Sequence, residues 1–209
     1  MRGVIAIPAK LRLLLDSIRF EHTIFALPFA YLGMVLAADG VPTLGQLVWV
    51  TVAMASARTV AMSANRIIDR HLDALNPRTA IRPLPTGRIK LWEMRGLAAV
   101  SLALFLLAAA QLNTLTLTLA PLAIVVVVGY SYTKRFTWMS HFVLGWADGI
   151  APAGGWIAVT GSLSWEPVFL AFAVATWIGG FDILYACQDH DFDVKQGLHS
   201  IPQKFGIAA

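Results

Sequence analysis

The fold of this chain is decided by apolar stretches such as LTLTLAPLAIVVVVGYSY, which occupies residues 115–132 and contains no charged side chain. A helix that spans a bilayer needs about 20 predominantly apolar residues. Similar stretches recur along the 209 residues, of which 57% are hydrophobic and 13% are charged. Soluble globular domains carry about 25% charged residues, so this composition predicts a membrane protein.

Six stretches are long and apolar enough to predict membrane-spanning helices. Their predicted bounds are Thr23–Ala38, Leu47–Asn65, Trp92–Ala110, Leu115–Tyr132, Met139–Val159 and Val168–Cys187. A membrane β-barrel would require strict alternation of polar and apolar residues, whereas the run 101–110 is apolar on every side. We therefore expect an all-α, polytopic transmembrane helix bundle that forms a single domain over residues 1–209.

The basic residues lie on one side of the predicted topology. All but one of the 16 Lys and Arg residues fall in the N-terminal segment, in the loops after the second and fourth spans, or in the C-terminal tail. The exception, Arg58, lies inside the second span. The positive-inside rule then predicts a cytoplasmic basic side and, for a bacterial protein, a location in the inner membrane.

Residues 1–22, which include Arg2, are interpreted as an interfacial segment and not as a cleaved signal. The net charge of +4 reflects this topology and does not indicate nucleic-acid binding.

The second predicted span runs into a motif in which Asn65, Asp69 and Asp73 are four residues apart. Residues at this spacing lie near one stripe of a helix, so an amide oxygen and two carboxylates are expected to point the same way. Arg58 lies about two turns deeper on that stripe. Because burying its charge in a membrane is costly, we expect Arg58 to face a polar cavity or a partner.

The sixth predicted span ends in a second acidic motif. Asp182, Asp189 and Asp193 share one face if the helix continues, whereas Asp191 points elsewhere. The even number of spans places both motifs at the same membrane surface. Either motif alone could be a solvated helix end, and the isolated Asp148 could be a structural carboxylate. The presence of both motifs in a chain with only 12 acidic residues favours a functional site.

Converging carboxylates repel one another unless a cation lies between them. No lysine is expected close to these motifs, so a hard divalent cation is the predicted partner. Mg²⁺ takes oxygen ligands and fills its remaining positions with water and substrate phosphates. We therefore predict that Mg²⁺ joins the two acidic motifs to a diphosphate. The single cysteine, Cys187, excludes a cysteine metal cluster. The basic residues available to neutralise phosphate charge are Arg66, Arg70, Lys134 and Arg135.

Four sequence elements, in this order, resemble the UbiA-type family of membrane aromatic prenyltransferases. The family's NxxxDxxxD motif is matched at residues 65–73, and the loop ALNPRTAIRPLPTGRI at residues 74–89 is similar to the family's loop. Tyr130 and Lys134 match its YxxxK element, and Asp189 and Asp193 match its second motif, DxxxD. The resemblance covers the whole chain. Within the family, the sequence is most similar to the 4-hydroxybenzoate polyprenyltransferase subgroup.

The resemblance implies a nine-helix bundle, of which this chain would contain about six spans and lack about three C-terminal helices. It also implies transfer of a polyprenyl group from a polyprenyl diphosphate to a small aromatic substrate, in ubiquinone or menaquinone biosynthesis. The implied metal ligands, for two Mg²⁺ ions, and catalytic carboxylates are Asn65, Asp69, Asp73, Asp189 and Asp193. The implied diphosphate-binding residues are Asn65, Arg58, Arg66, Tyr130 and Lys134. Secondary candidates are Asp182, Asp191 and, for an acceptor carboxylate, Arg19.

The expected chemistry is departure of the diphosphate and attack of an electron-rich ring on the resulting allylic cation in a dry cavity. Candidates to stabilise the cation are Phe25, Phe29, Trp146 and Tyr185. A different UbiA-type acceptor, such as haem, chlorophyllide or a dihydroxynaphthoate, remains open, because the motifs recognise the diphosphate and not the acceptor. The sequence is also compatible with an ion transporter, whose site would lie near the bilayer midplane, and with an inactive fragment.

Overall fold

The computed structural model describes residues 8–207. Residues 1–7 of the predicted interfacial segment, which include Arg2, and residues 208–209 lie outside the described range. All regular secondary structure between residues 8 and 207 is helical, and no strand occurs there. The all-α prediction is therefore confirmed.

The described chain forms ten α-helices and two short 3₁₀ turns. The α-helices are α1 (Ala9–Ser17), α2 (Thr23–Ala38), α3 (Leu44–Ile68), α4 (Arg70–Leu75), α5 (Leu91–Leu112), α6 (Thr114–Thr133), α7 (Ser140–Thr160), α8 (Glu166–Ala186), α9 (His190–Gln196) and α10 (Ile201–Phe205). The 3₁₀ turns, Phe20–His22 and Cys187–Asp189, precede α2 and follow α8. The second turn carries the sixth span into α9 and brings both carboxylates of the second motif into a helical segment.

Six helical segments within residues 8–207 are long and apolar enough to cross a membrane, as predicted. The largest change is in the sixth, which extends over Glu166–Gln196 instead of ending at Cys187. The second also begins earlier than predicted, at Leu44. Its start is fixed by a capping box in which Thr43 and Gln46 satisfy each other's backbone amides, a common device for starting a helix.

Helix α7 is packed against α2, α6 and α8, and α3 is packed against α5 and α6. Small residues allow the closest of these approaches. A methyl group added at Gly145 would overlap the carbonyl oxygen of Ala175 in α8, and one added at Gly155 would overlap that of Ala30 in α2. In lipid, helix association depends on close packing more than on the hydrophobic effect, and small residues permit it. The glycines of α7 therefore set its distance from both neighbours.

The basic segments meet at one end of the bundle, which we call the basic end. Lys10 of α1 forms an ion pair with Glu93 at the start of α5, at 2.9 Å. The backbone amide of His199 donates to the carbonyl oxygen of Lys134 at 2.7 Å. Arg78, in the loop between α4 and α5, forms an ion pair with Asp189. These contacts bring together segments that the even span count places on one side.

We predict that Gly145→Ala destabilises the bundle by about 1–3 kcal/mol, the usual cost of overpacking. The added methyl group would press against the α8 backbone, which cannot move aside as a flexible side chain can. Thermal unfolding in detergent measures the change. Gly154→Ala is the matched control, because its added methyl group meets no atom within 4 Å. Equal unfolding temperatures for the two variants would contradict this account of the α7–α8 contact.

Candidate active site

A cavity of about 220 Å³ opens at the basic end, between the end of α3, the end of α6, the start of α7 and the segment from α8 to α9. Both acidic motifs contribute to its lining. The lining residues that the sequence singled out are Asn65, Asp69, Tyr130, Lys134, Asp182, Tyr185, Asp189 and Asp193. The structure thus brings together carboxylates that are more than a hundred residues apart in the sequence.

Asp69 accepts hydrogen bonds from three different side chains. One oxygen accepts from Lys134 Nζ at 2.7 Å and from Asn65 Nδ2 at 3.0 Å. The other accepts from Arg135 Nη2 at 2.8 Å. The side chain is only 3% exposed. Burial of a carboxylate is tolerated when it is paired and hydrogen-bonded, and here two cations and an amide supply that compensation.

Asp73 does not share the cavity with Asp69. Helix α3 ends at Ile68, and Asp69 has φ −89° and ψ 3°, so α4 starts after a break in the helix. The expected common stripe therefore holds for Asn65 and Asp69 but not for Asp73. One oxygen of Asp73 accepts from Arg82 Nη1 at 2.7 Å, while the other is buried without a hydrogen-bond partner among the described residues. Buried acceptors are normally satisfied, so this oxygen is free to take a further donor or a cation.

Asp189 is held by the loop that follows the first motif. Asn76 Nδ2 and Arg78 Nε each donate to one carboxylate oxygen at 2.9 Å, and Arg78 Nη2 donates to the other. Such a two-pronged arginine–carboxylate contact is stronger and more directional than a single ion pair. The hydrogen bonds to Asp189 raise the pKa of the Arg78 guanidinium above its ordinary value, so this side chain is a permanent cation.

The other acidic residues predicted near the second motif border two different cavities, both of which Asp189 also lines. Asp182 and Asp193 line the cavity of the first motif, and Asp182 accepts from His141 Nδ1 at 2.7 Å. Asp191 is fully exposed and borders a second, open cavity of about 490 Å³. The prediction that Asp191 points away from the shared face is confirmed.

Three predicted arginines lie elsewhere. Arg66 is buried, and its Nε donates to the carbonyl oxygen of Ser17 at 3.0 Å, which ties α3 to the end of α1. Arg58 Nε is buried without a hydrogen-bond partner in the described chain, and the side chain lies within electrostatic range of Asp148. Arg19 is exposed and lies 3.7 Å from Glu21. The cavity lining, as far as residues 8–207 form it, includes none of the three arginines.

The expectation that no lysine lies close to the carboxylates is wrong, because Lys134 contacts Asp69. Asp69, Asp73 and Asp189 each have at least one basic partner, supplied by Lys134 and Arg135, by Arg82 and by Arg78 respectively. Spacing along one helix could not reveal partners that come from loops folded over its end. A signal was present for two missed residues, since Asn76 and Arg78 directly follow the first motif within the loop at residues 74–89.

The donor chemistry of the cavity fits Mg²⁺. Among residues 8–207 no group of three or more His, Cys, Asp or Glu side chains is already arranged to hold a metal ion. Asp69 and Asp189 are paired with basic side chains. Mg²⁺ requires only one or two protein carboxylates, with waters and substrate phosphates completing its octahedron. Asp69, Asp189 and Asp193 offer carboxylate oxygens on one cavity, and Asp73 carries the unpartnered buried oxygen.

Comparison with curated proteins finds relatives along most of the chain. A 4-hydroxybenzoate octaprenyltransferase from Paraburkholderia phytofirmans is 33% identical over 201 residues, which cover 95% of this chain and 70% of that protein. One from Aliivibrio fischeri is 35% identical over 171 residues, covering 82% of this chain and 60% of that protein. A protoheme IX farnesyltransferase from Methylococcus capsulatus is 34% identical over 194 residues, with coverages of 90% and 63%. The chain spans about 60% of the length of several such relatives.

Solved structures show the same fold. The apo structure of a UbiA homologue from Aeropyrum pernix K1 has a TM-score of 0.84 and 38% identity, covering 90% of this chain and 70% of that one. A UbiA homologue from Archaeoglobus fulgidus bound to DMAPP and Mg²⁺ has a TM-score of 0.73 and 25% identity, with coverages of 95% and 70%. The three further helices implied by the sequence resemblance stay a prediction. The chain has six apolar helices and a cavity lined by both acidic motifs. Because the UbiA prenyltransferase family profile matches residues 26–209, this chain belongs to that family of integral membrane proteins.

Proposed function

We propose that the protein transfers a polyprenyl group from a polyprenyl diphosphate to an aromatic acceptor such as 4-hydroxybenzoate, in quinone biosynthesis. The proposed reaction depends on Mg²⁺ and takes place at the cytoplasmic side of a bacterial inner membrane. The observation that carries the proposal is that one cavity is lined both by Asp69 of the first motif and by Asp189 and Asp193 of the second. The names of the relatives and the DMAPP and Mg²⁺ in the Archaeoglobus fulgidus homologue support it.

The diphosphate would bind between the two motifs. Asp69, Asp189 and Asp193 would hold Mg²⁺, with Asn65 as a further oxygen donor at the cavity and Asp73 offering its unpartnered oxygen from outside the cavity lining. The metal would supply a Lewis acid that lowers the charge on the departing group. Lys134 contacts Asp69, and Arg78 contacts Asp189. Both cations can exchange a carboxylate for a phosphate oxygen, which is a similar hydrogen-bond acceptor.

The same residues favour breaking of the allylic C–O bond. Negative charge develops on the diphosphate as the bond breaks, and the cations of Lys134 and Arg78 are already at the cavity. Preorganised positive groups of this kind stabilise the developing charge without having to reorient. The Tyr185 ring, which also lines the cavity, offers its π-face to the allylic cation. The ring of the acceptor then attacks, and the held diphosphate can accept the displaced ring proton.

Among the other proposed cation-stabilising residues, Phe25 is 73% exposed and Trp146 packs against Phe172. Neither of these residues, nor Phe29, lines the cavity. Tyr185 is the one aromatic candidate that lines the cavity as residues 8–207 form it, so we assign stabilisation of the allylic cation to Tyr185.

A second candidate acceptor is haem. A protoheme IX farnesyltransferase is as similar to this chain as several of the 4-hydroxybenzoate enzymes are. Arg58, a candidate partner of an acceptor carboxylate, does not line the cavity and does not distinguish benzoates from haem, since both carry carboxylates. A transporter has less support, because the carboxylates gather at one end of the bundle and not near the middle of the spans, where transporters commonly bind their substrates.

We predict that Mg²⁺ and a non-hydrolysable prenyl diphosphate analogue together raise the unfolding temperature of the purified chain. A ligand at about one hundred times its dissociation constant adds about 2.7 kcal/mol of stability. Asp69→Asn and Asp189→Asn should lose most of the stabilisation, because each removes a charge that faces the cavity. Asp191→Asn is the matched control, since its side chain is fully exposed and outside that cavity. Equal stabilisation without Mg²⁺ would refute the proposed metal-bridged binding.

We further predict that alanine at Asp69, Asp73, Asp189 or Asp193 lowers transfer at least about a hundredfold in excess Mg²⁺, the scale of losing one group that stabilises transition-state charge. The assay incubates the protein with one polyprenyl diphosphate and a panel of 4-hydroxybenzoate, a dihydroxynaphthoate and haem. Product masses then identify the acceptor. Near-normal turnover in any two of the four variants would eliminate the two-motif mechanism, and a product from haem alone would select haem as the acceptor.

A further inference from the structure

His141 connects three helices at the edge of the cavity. It is the second residue of α7 and is only 3% exposed. Its Nδ1 lies 2.7 Å from an oxygen of Asp182 in α8. Its Nε2 lies 3.2 Å from the backbone nitrogen of Ile201, the first residue of α10. Both ring nitrogens are therefore engaged, and they are engaged by different segments of the chain.

The partners determine which nitrogen carries the proton. A backbone amide can only donate, so Nε2 must present its lone pair to Ile201. In a neutral imidazole the other nitrogen is then protonated, and Nδ1–H donates to the carboxylate of Asp182. The amide of Ile201 is one of the first-turn amides of α10, which have no partner within their own helix. His141 supplies the missing acceptor for Ile201, while the Ser200 side chain accepts from the Gln203 amide, so both residues stabilise the start of α10.

The α9–α10 loop, residues 197–200, carries this connection to the cavity. Its amide at Leu198 donates to the carbonyl oxygen of Asp193 at 2.9 Å, which is possible because Gly197 turns the chain with φ +65°. Its amide at His199 donates to the carbonyl oxygen of Lys134 at 2.7 Å. The loop thus joins the backbone of a second-motif carboxylate to the backbone of the lysine that contacts the first motif.

We infer that His141 is a positioning residue, which holds the α9–α10 loop in place and thereby holds Asp193 and Lys134 at the cavity. A role as the general base is disfavoured by the geometry, because the one available nitrogen lone pair of the ring already accepts from the Ile201 amide. Asp182 orients the ring through Nδ1 and is a positioning residue by the same contact. The catalytic consequence of this inference rests on the proposed function, whereas the structural one does not.

Hydrogen–deuterium exchange tests the structural part on the intact chain. The amide of glutamine reaches the position of Nε2, and that of asparagine reaches only the position of Nδ1. We expect His141→Asn to accelerate exchange at Ile201 and His199 about tenfold, the effect of losing one hydrogen bond of ordinary net strength. His141→Gln should keep exchange near the wild-type rate, because its amide oxygen can accept from Ile201.

His199→Gln is the control for the exchange measurement. The side chain of His199 is exposed, and the contacts that hold the loop use its backbone. Its exchange pattern should therefore match that of the wild type. Wild-type exchange in His141→Asn, or equal acceleration in both His141 variants, would overturn the inference.

Kinetics test the catalytic part. We expect His141→Asn to raise the apparent KM for the prenyl diphosphate about tenfold and to lower kcat less, since a displaced lysine and carboxylate weaken binding first. His141→Gln should restore KM. Collapse of kcat with an unchanged KM in both variants would assign proton transfer to His141 and refute the positioning role. If the wild-type protein forms no product from any acceptor, the proposed function fails, while the exchange results still decide the structural role.

Discussion

A carboxylate at the rim of an apolar helix bundle needs a compensating charge, because desolvation of an unpaired ion costs more than any packing contact returns. This requirement organises the basic end of the molecule. Asp69 forms ion pairs with Lys134 and Arg135, which follow α6, and Asp189 forms an ion pair with Arg78 in the loop before α5. Segments that follow different spans are thereby fixed to one another, and the cavity lies where these ion pairs meet.

The membrane-spanning helices supply the frame that makes such pairing possible. Helix α7 lies between α2 and α8 at distances set by Gly145 and Gly155, where an added methyl group would overlap a facing backbone. Close approach along α7 fixes the position of α8 relative to the start of α7. His141 is located at the start of α7. Helix α7 therefore also provides the contacts to Asp182 and to Ile201, which follows the α9–α10 loop.

Much of the architecture could be predicted because it depends on composition. The apolar stretches determine the six spans, and the one-sided distribution of Lys and Arg determines which connections share an end. The common location of Asp69, Asp189 and Asp193 followed from the even span count. The ion pair between Asp73 and Arg82 could not be predicted. Helical periodicity assumes an unbroken helix, whereas the helix is interrupted at Asp69. His141 was missed because one histidine near an apolar span carries no pattern; its partners are 41 and 60 residues away.

The ion pairs also bear on how a diphosphate would enter. A cavity lined by bare carboxylates would repel a polyanion, but here Asp69 and Asp189 already hold cations that can turn toward phosphate oxygens. Asp69 and Asp189 would then be available to hold a metal ion, which would supply the positive charge that the bases now give these carboxylates. Such an exchange requires the lysine and the carboxylates to remain in place while their partners change. Backbone contacts provide this constancy, since the bonds from the α9–α10 loop to Asp193 and Lys134 involve no side chain that the diphosphate could displace.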